Sequence, residues 1–264
     1  MSPGLKLLTI GILLVGLMYL SICGLLYFSQ RSYIYYPTGR NPDVPAFLLH
    51  REDARIVVSS NGVSSNDIGS DRAILYFGGN AEDVSRAIAP LSQAFPGTAI
   101  YAMHYRGYGG STGTPSERAL VADGIALHDL VARTHPRISI IGRSLGSGVA
   151  IQIAASRPTD RLVLVTPYDS IAELAADHFK LFPVRLILRD RYESWRYASR
   201  MTVPTTLIVA TQDQVIPNRS SEKLARAFPP GIANLVRIPG ADHNNVSDFP
   251  GYAAALGGQV TQAH

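Results

Sequence analysis

The chain has 264 residues, a formal net charge of +4 and 46% hydrophobic residues. Its single cysteine, Cys23, excludes an intrachain disulfide and a cysteine-rich zinc site. The arginines are scattered rather than clustered, so the mildly basic balance reads as solubility and attraction to anionic lipid headgroups, with no nucleic-acid partner.

Leu7 to Phe28 carries no charged residue, with Lys6 before it and Gln30 and Arg31 after it. As a helix it would be about 33 Å long, enough to cross a hydrocarbon core of about 30 Å. Phe28, Ser29, Gln30 and Arg31 make a poor signal-peptidase site, and Ile22 is bulky where lipoprotein processing at Cys23 favours a small residue. The segment is therefore expected to be an uncleaved single-pass membrane anchor over residues 1–30. Residues 31–264 are expected to form one domain of ordinary size. The charges flanking the span are nearly balanced. The order of a short basic start, an apolar core and one large domain favours export, which places the domain outside the cytoplasm.

Arg31 to Pro37 is aromatic-rich, and its tyrosines fit a membrane interface or a cover for the base of a sheet equally well. Arg55 to Ser59 is the first clear strand. Ser60 to Asp71 reads as a loop joining it, as a hairpin, to the strand Ala73 to Phe77. A helix over Glu82 to Phe95, a strand over Thr98 to His104 and a longer helix over Ser116 to Thr134 follow. Leu162 to Thr166, Thr205 to Ala210 and Leu235 to Ile238 are further strands, and Gly257 to His264 reads as a frayed tail. This alternation implies an α/β fold, with a mostly parallel central sheet and helices on both faces.

Between these elements stands Ile138 to Gly148, I-S-I-I-G-R-S-L-G-S-G. A strand that turns at once into a helix holds the turn residue, Ser144, in a strained conformation with its side chain clear of neighbours. Glycines two before and two after are needed because strand and helix approach too closely for a Cβ. Asp213 follows the strand ending at Ala210, and His243 follows the strand ending at Ile238. Ser144, Asp213 and His243 thus each lie past the C-terminal end of a strand, the edge where open parallel sheets place their sites. Their order in the chain is Ser, Asp, His.

These residues resemble the α/β-hydrolase superfamily over Arg31 to about Leu256. Within it, the chain is similar to small membrane-anchored serine hydrolases that include protein depalmitoylases, monoacylglycerol-lipase-like enzymes and serine aminopeptidases. Tyr76-Phe77-Gly78-Gly79-Asn80-Ala81 matches that group's oxyanion loop, with Gly78-Gly79 where the group often has His-Gly. Tyr105 to Ser111 matches its turn after the fourth strand, and Thr166 to Ile171 its segment after the strand following the elbow. The resemblance implies Ser144 as nucleophile, His243 as base and Asp213 as the acid that orients it. It also implies the backbone N–H groups of Leu145 and Asn80 as the oxyanion hole, the Asn80 side chain being alternatively a support for the loop.

His104 and Asp169 also follow strands and are the rivals for base and acid, while Asp242 reads as a turn residue. Arg106 and Tyr108 read as builders of the loop under the site. The stretch from Asp169 to Pro204 is too short for a large cap domain. Its apolar Phe179 to Leu188 is either a small lid near a bilayer or an ordinary helix packed on the sheet. No dinucleotide fingerprint, phosphate loop or metal-ligand spacing is present, so the reading is cofactor-free and metal-free. The expected function is hydrolysis of carboxylic esters or thioesters of a small-molecule or lipid-like acyl substrate, with acylated protein also open as a substrate. Aminopeptidase-like or acyltransferase chemistry on the same residues is the alternative within enzymes, and a silent membrane-tethered binding module the alternative outside them.

Overall fold

The inner strands of this chain are apolar on both sides because each strand's side chains alternate between two helical layers. The computed structural model describes residues 2–62 and 71–258. In chain order it contains helix α1 (Pro3–Ile34), strands β1 (Ala46–His50), β2 (Arg55–Ser60) and β3 (Arg72–Phe77), helix α2 (Ile88–Ala94), strand β4 (Ala99–Met103) and helix α3 (Glu117–Val131). There follow β5 (Arg137–Arg143), α4 (Leu145–Ala154), β6 (Arg161–Val165), α5 (Ile171–His178), α6 (Val184–Ile187) and α7 (Ser194–Ala198). The chain then runs through β7 (Thr205–Ala210), α8 (Asn218–Ala227), β8 (Ala233–Ile238) and α9 (Pro250–Gly257).

The eight strands form one sheet in the order β1-β2-β4-β3-β5-β6-β7-β8. From β4 to β8 the pairs are parallel, and β1 and β2 add an antiparallel edge. Leu75, Phe77, Ile140, Leu164 and Leu207 face one layer with α3, α4, α7 and α8. Ile74, Tyr76, Ile141, Val163 and Ile208, one residue out of step, face α2 and α9. All ten residues of α4 are buried. The α/β architecture read from the sequence is therefore the observed one.

Three local expectations are corrected. The first strand is β1, not Arg55 to Ser59; its half-exposed edge position leaves A-F-L-L-H with little alternation to read. The hairpin between Arg55–Ser59 and Ala73–Phe77 does not form. Instead β2 pairs with β1 and β4 (Val58 opposite Met103), and β4 separates it from β3. A strand as buried as β3 needs a partner on each side, and β4 and β5 supply them. Most of the loop expected to close that hairpin lies outside the described residues. The helix expected from Glu82 begins later, as a 3-10 turn over Val84–Ala87 capped by Asp83 and then α2. Glu82 stays out of it because its carboxylate is bonded elsewhere. Of the tail expected at Gly257 to His264, Gly257 closes α9, and residues 259–264 lie outside the described residues.

Helix α1 starts at Pro3, with Ser2 as its cap, and runs past residue 30 to Ile34. It is long and apolar enough to cross a membrane, and Leu7, Leu8, Leu13, Leu17 and Leu20 on it are all exposed. Its C-terminal end is packed on the domain. Arg31 pairs with buried Asp190 at 2.9 Å, and Gln30 accepts from Arg189 N–H at 2.6 Å. Of the tyrosines at this end, Tyr35 is buried in the core, as a cover for the sheet requires, whereas Tyr33 and Tyr36 are exposed.

Candidate active site

The β5–α4 connection is as sharp as the sequence implied. Ser144 sits at φ 49°, ψ −117°, a conformation that costs a non-glycine residue about 1–3 kcal/mol. The two flanking glycines are obligatory for separate reasons. A Cβ on Gly142 would lie 2.4 Å from the Gly146 carbonyl oxygen, and one on Gly146 would lie 2.0 Å from that of Phe77. Both obstacles are backbone, so neither can rotate away. Gly146→Ala is expected to destabilise the protein by about 3 kcal/mol, lowering the melting temperature in a thermal scan by about 6–12 °C.

Three loops meet at this turn. His243 Nε2 lies 3.0 Å from Ser144 Oγ, and His243 Nδ1 lies 2.8 Å from Asp213 Oδ2. The Asp213 carboxylate side chain is 2% exposed. Its other oxygen accepts from the N–H groups of Val215 and Ile216 at 2.8 and 2.7 Å. A carboxylate can only accept, so Nδ1 carries the imidazole proton and Nε2 is left to accept the serine hydroxyl.

The rivals are engaged elsewhere. His104 is buried with Nε2 2.9 Å from Ser59 Oγ, and burial holds its pKa down to about 4. Asp169 accepts from Ser220 Oγ and pairs with Lys223 Nζ, both at 2.6 Å. Asp242 accepts the N–H groups of Asn244 and Asn245, a turn role as expected. Arg106 is locked between Asp123 and Asp53, and Tyr108 is buried, so both build the loop under the site.

The loop after β3 lies against the serine, a Cβ on Gly79 falling 3.5 Å from that of Ser144. Gly79 N–H donates to Glu82 Oε2 at 2.6 Å. Among the described residues, by contrast, no protein acceptor takes the N–H of Asn80 or of Leu145 at the start of α4. Asn80 Oδ1 accepts three bonds, from Tyr36 N–H, Ala81 N–H and Tyr108 O–H, at 2.8, 3.0 and 2.9 Å. The side chain thus holds the loop and leaves the backbone N–H to point elsewhere. Ala81 beside it takes a positive φ of 56°.

Two side chains that the sequence reading did not single out tie these parts together. Arg143, inside the elbow, donates to the carbonyls of His243 and Asn244, each at 3.2 Å. It also stands 3.6 Å from Glu82, whose carboxylate accepts from both Gly79 N–H and Tyr76 O–H. One ion pair therefore joins the histidine loop to the loop after β3. The only sequence signal was position: Arg143 is the variable residue before Ser144, and Glu82 follows Gly79 by three. Arg143→Met is expected to lower kcat about 10²-fold through misplacement of His243. The check is a kcat measurement beside a melting curve, and a fall in melting temperature with kcat intact would count against that role.

A cavity of about 1140 Å³ lies on the far side of this ion pair, between α2, α9 and Thr38 to Asn41. Arg143 and Glu82 line it, whereas Ser144, Asp213 and His243 do not. Among the described residues, no group of three or more His, Cys, Asp or Glu side chains is placed to hold a metal ion.

An elbow serine beneath a histidine on an eight-stranded, mostly parallel sheet defines a class, and the chain belongs to the α/β-hydrolase superfamily. The family model for serine aminopeptidase S33 matches residues 70–197. An uncharacterised protein of Mycobacterium tuberculosis is 32% identical over 245 residues, 88% of this chain and 86% of that protein. The lysophosphatidylserine lipase ABHD12 of Danio rerio is 30% identical over 145 residues, 47% of this chain and 38% of its own length. The solved structure of Est1E from Butyrivibrio proteoclasticus with bound ferulic acid superposes with a TM-score of 0.64 at 16% identity. That match covers 81% of this chain and 96% of that one.

Proposed function

We propose that the protein is a membrane-anchored serine hydrolase that cleaves carboxylic ester or thioester bonds in lipid-like acyl substrates. The observation that carries this reading is the relay Ser144 Oγ to His243 Nε2 to Asp213, at 3.0 and 2.8 Å, on a backbone strained to expose the serine. His243 takes the hydroxyl proton as Ser144 attacks the acyl carbon, and returns it to the departing alcohol or thiol. The free N–H groups of Asn80 and Leu145 hold the oxyanion, each contributing about 10²–10³ in turnover. Asp213 fixes the tautomer and stabilises the imidazolium. Water then attacks the acyl-enzyme by the same route in reverse.

The family model's name and the ABHD12 likeness point to amide and lipid-ester substrates respectively. An aminopeptidase needs a carboxylate for the substrate's ammonium group, and the two in the loop after β3 are already committed, Glu82 to Gly79, Tyr76 and Arg143 and Asp83 to Asn41 and Ser85. This favours esters and thioesters. The decisive experiment is fluorophosphonate labelling of the full-length protein in detergent, followed by matched p-nitrophenyl esters, acyl thioesters and aminoacyl anilides. Turnover of the anilides alone would reverse the choice. The anchor reading draws support from the packing of α1 against Asp190 and Arg189, which a cleaved signal would forfeit. The proposed orientation, with the domain outside the cytoplasm, is tested by a C-terminal alkaline phosphatase fusion, active only when exported.

A further inference from the structure

Phe179 to Leu188, the stretch after α5 that includes α6, does not lie on the sheet as an ordinary packed helix would. Phe179, Leu181 and Leu186 are exposed, the two leucines at 83% and 85%. The segment instead runs along α1. Tyr19 O–H donates to the Leu181 carbonyl at 2.9 Å, and the Tyr19 and Phe182 rings stack at 5.8 Å. Further down, Gln30 Nε2 donates to the Ile187 carbonyl at 3.1 Å, Arg189 lies over the Tyr27 ring, and Arg31 meets Asp190. Residues 181 to 190 therefore run parallel to residues 19 to 31 of α1. Tyr19 is nine residues inside Phe28, about 14 Å along the helix axis, or roughly half the depth of a hydrocarbon core of about 30 Å.

We infer that Phe179 to Leu188 is a second membrane-inserted element, docked on α1 and occupied on its outer face by the acyl chains of one leaflet. The inference rests on the reading of α1 as a membrane span. Continuity with that span is the first argument: the exposed leucines extend its apolar surface rather than forming an isolated patch. The second is hydrogen bonding. Backbone polar groups in hydrocarbon must be satisfied by the protein itself. The N–H groups of Phe182, Val184, Leu186, Ile187 and Leu188 donate locally and Pro183 has none, whereas among the described residues no protein acceptor takes those of Lys180, Leu181 and Arg185, so this satisfaction is partial. The Leu181 carbonyl at the tip is met by a hydroxyl from inside the span. The third is the belt below: Tyr27, Arg31 and Arg189 gather at the level where aromatic and basic side chains mark a membrane interface. Arg185 is paired with Glu173 at 2.9 Å, and the Lys180 stem carries its charge part of the way toward that level.

The arrangement brings the bilayer to the serine. Tyr36, two residues past α1, donates its N–H to Asn80 beside Gly79. Tyr35 O–H meets Tyr192 O–H at 3.0 Å, and the Tyr192 ring packs at Gly148, one turn along α4 from Ser144.

The test uses the full chain with Cys23→Ser and a single new cysteine, Leu181→Cys, Leu186→Cys or, as a far-side control, Arg133→Cys. Each is labelled with an environment-sensitive nitrobenzoxadiazole dye in phosphatidylcholine nanodiscs. Labels at 181 and 186 are expected to shift to the blue and to be quenched by doxyl groups on the lipid chains, while the label at 133 is quenched only by aqueous iodide. Equal iodide quenching at 181 and 133 would overturn the inference. Fluorophosphonate labelling of the same samples keeps the two readings apart. Labelled Ser144 with an iodide-exposed residue 181 removes the inserted element alone, and a lipid-quenched residue 181 with unreactive Ser144 removes the hydrolase alone.

Discussion

Ser144→Ala is expected to lose fluorophosphonate labelling completely and to lower kcat for p-nitrophenyl esters by about 10⁶, as removal of a serine nucleophile from such a relay typically does. The fold should survive. The strain at φ 49° is borne by the backbone and not by the hydroxyl, and the obstacles around the elbow stand at Gly142 and Gly146. An unchanged circular dichroism spectrum and melting curve provide the control. The variant should still bind substrate, because the N–H groups of Leu145 and Asn80 do not depend on the serine side chain. A mutant that hydrolyses esters at the parent rate would sink the mechanism as a whole.

Asp213→Asn should cost about 10⁴ in kcat. The substituted amide can turn its NH₂ toward His243 Nδ1, which leaves the proton on Nε2 and the serine hydroxyl without an acceptor. The loop itself should hold, since the amide oxygen can still accept from Val215 and Ile216. Asp169→Asn is the matched comparison, because Asp169 also follows a strand but is bound to Ser220 and Lys223. It is expected to shift the melting temperature and to spare kcat. If the asparagine at 169 costs more turnover than the one at 213, the acid has been assigned to the wrong carboxylate.

How far the molecule could be read from its sequence depended on the reach of each interaction. The elbow was legible because its requirements are local: two glycines, a strand before and a helix after, within eleven residues. Asp213 and His243 were legible for a related reason, since parallel strands end on one edge and loops after them must meet there. Pairing order was not. Neighbours in sequence are poor guides to neighbours in a sheet once a later strand inserts, as β4 does between β2 and β3. Glu82 was hidden because an acidic residue before an apolar run reads as a helix start, and nothing local shows that Gly79 N–H and Arg143 compete for its carboxylate. The path of Phe179 to Leu188 along α1 was hidden by distance, its contacts spanning about 160 residues of chain.

Asn80 gives the structure a mechanical property that concerns anyone handling the protein. Its one side-chain oxygen gathers the first residues after α1, the turn after β4 and the loop beside Ser144. If α1 is the anchor proposed above, it is also more than a tether, since its far end is wired to the loop proposed to place the oxyanion. Trimming the chain after Tyr36 to gain solubility would remove one of three supports from that loop. Rates measured on such a fragment would describe a loosened site, and a detergent that lets α1 tilt freely would do the same to the intact chain.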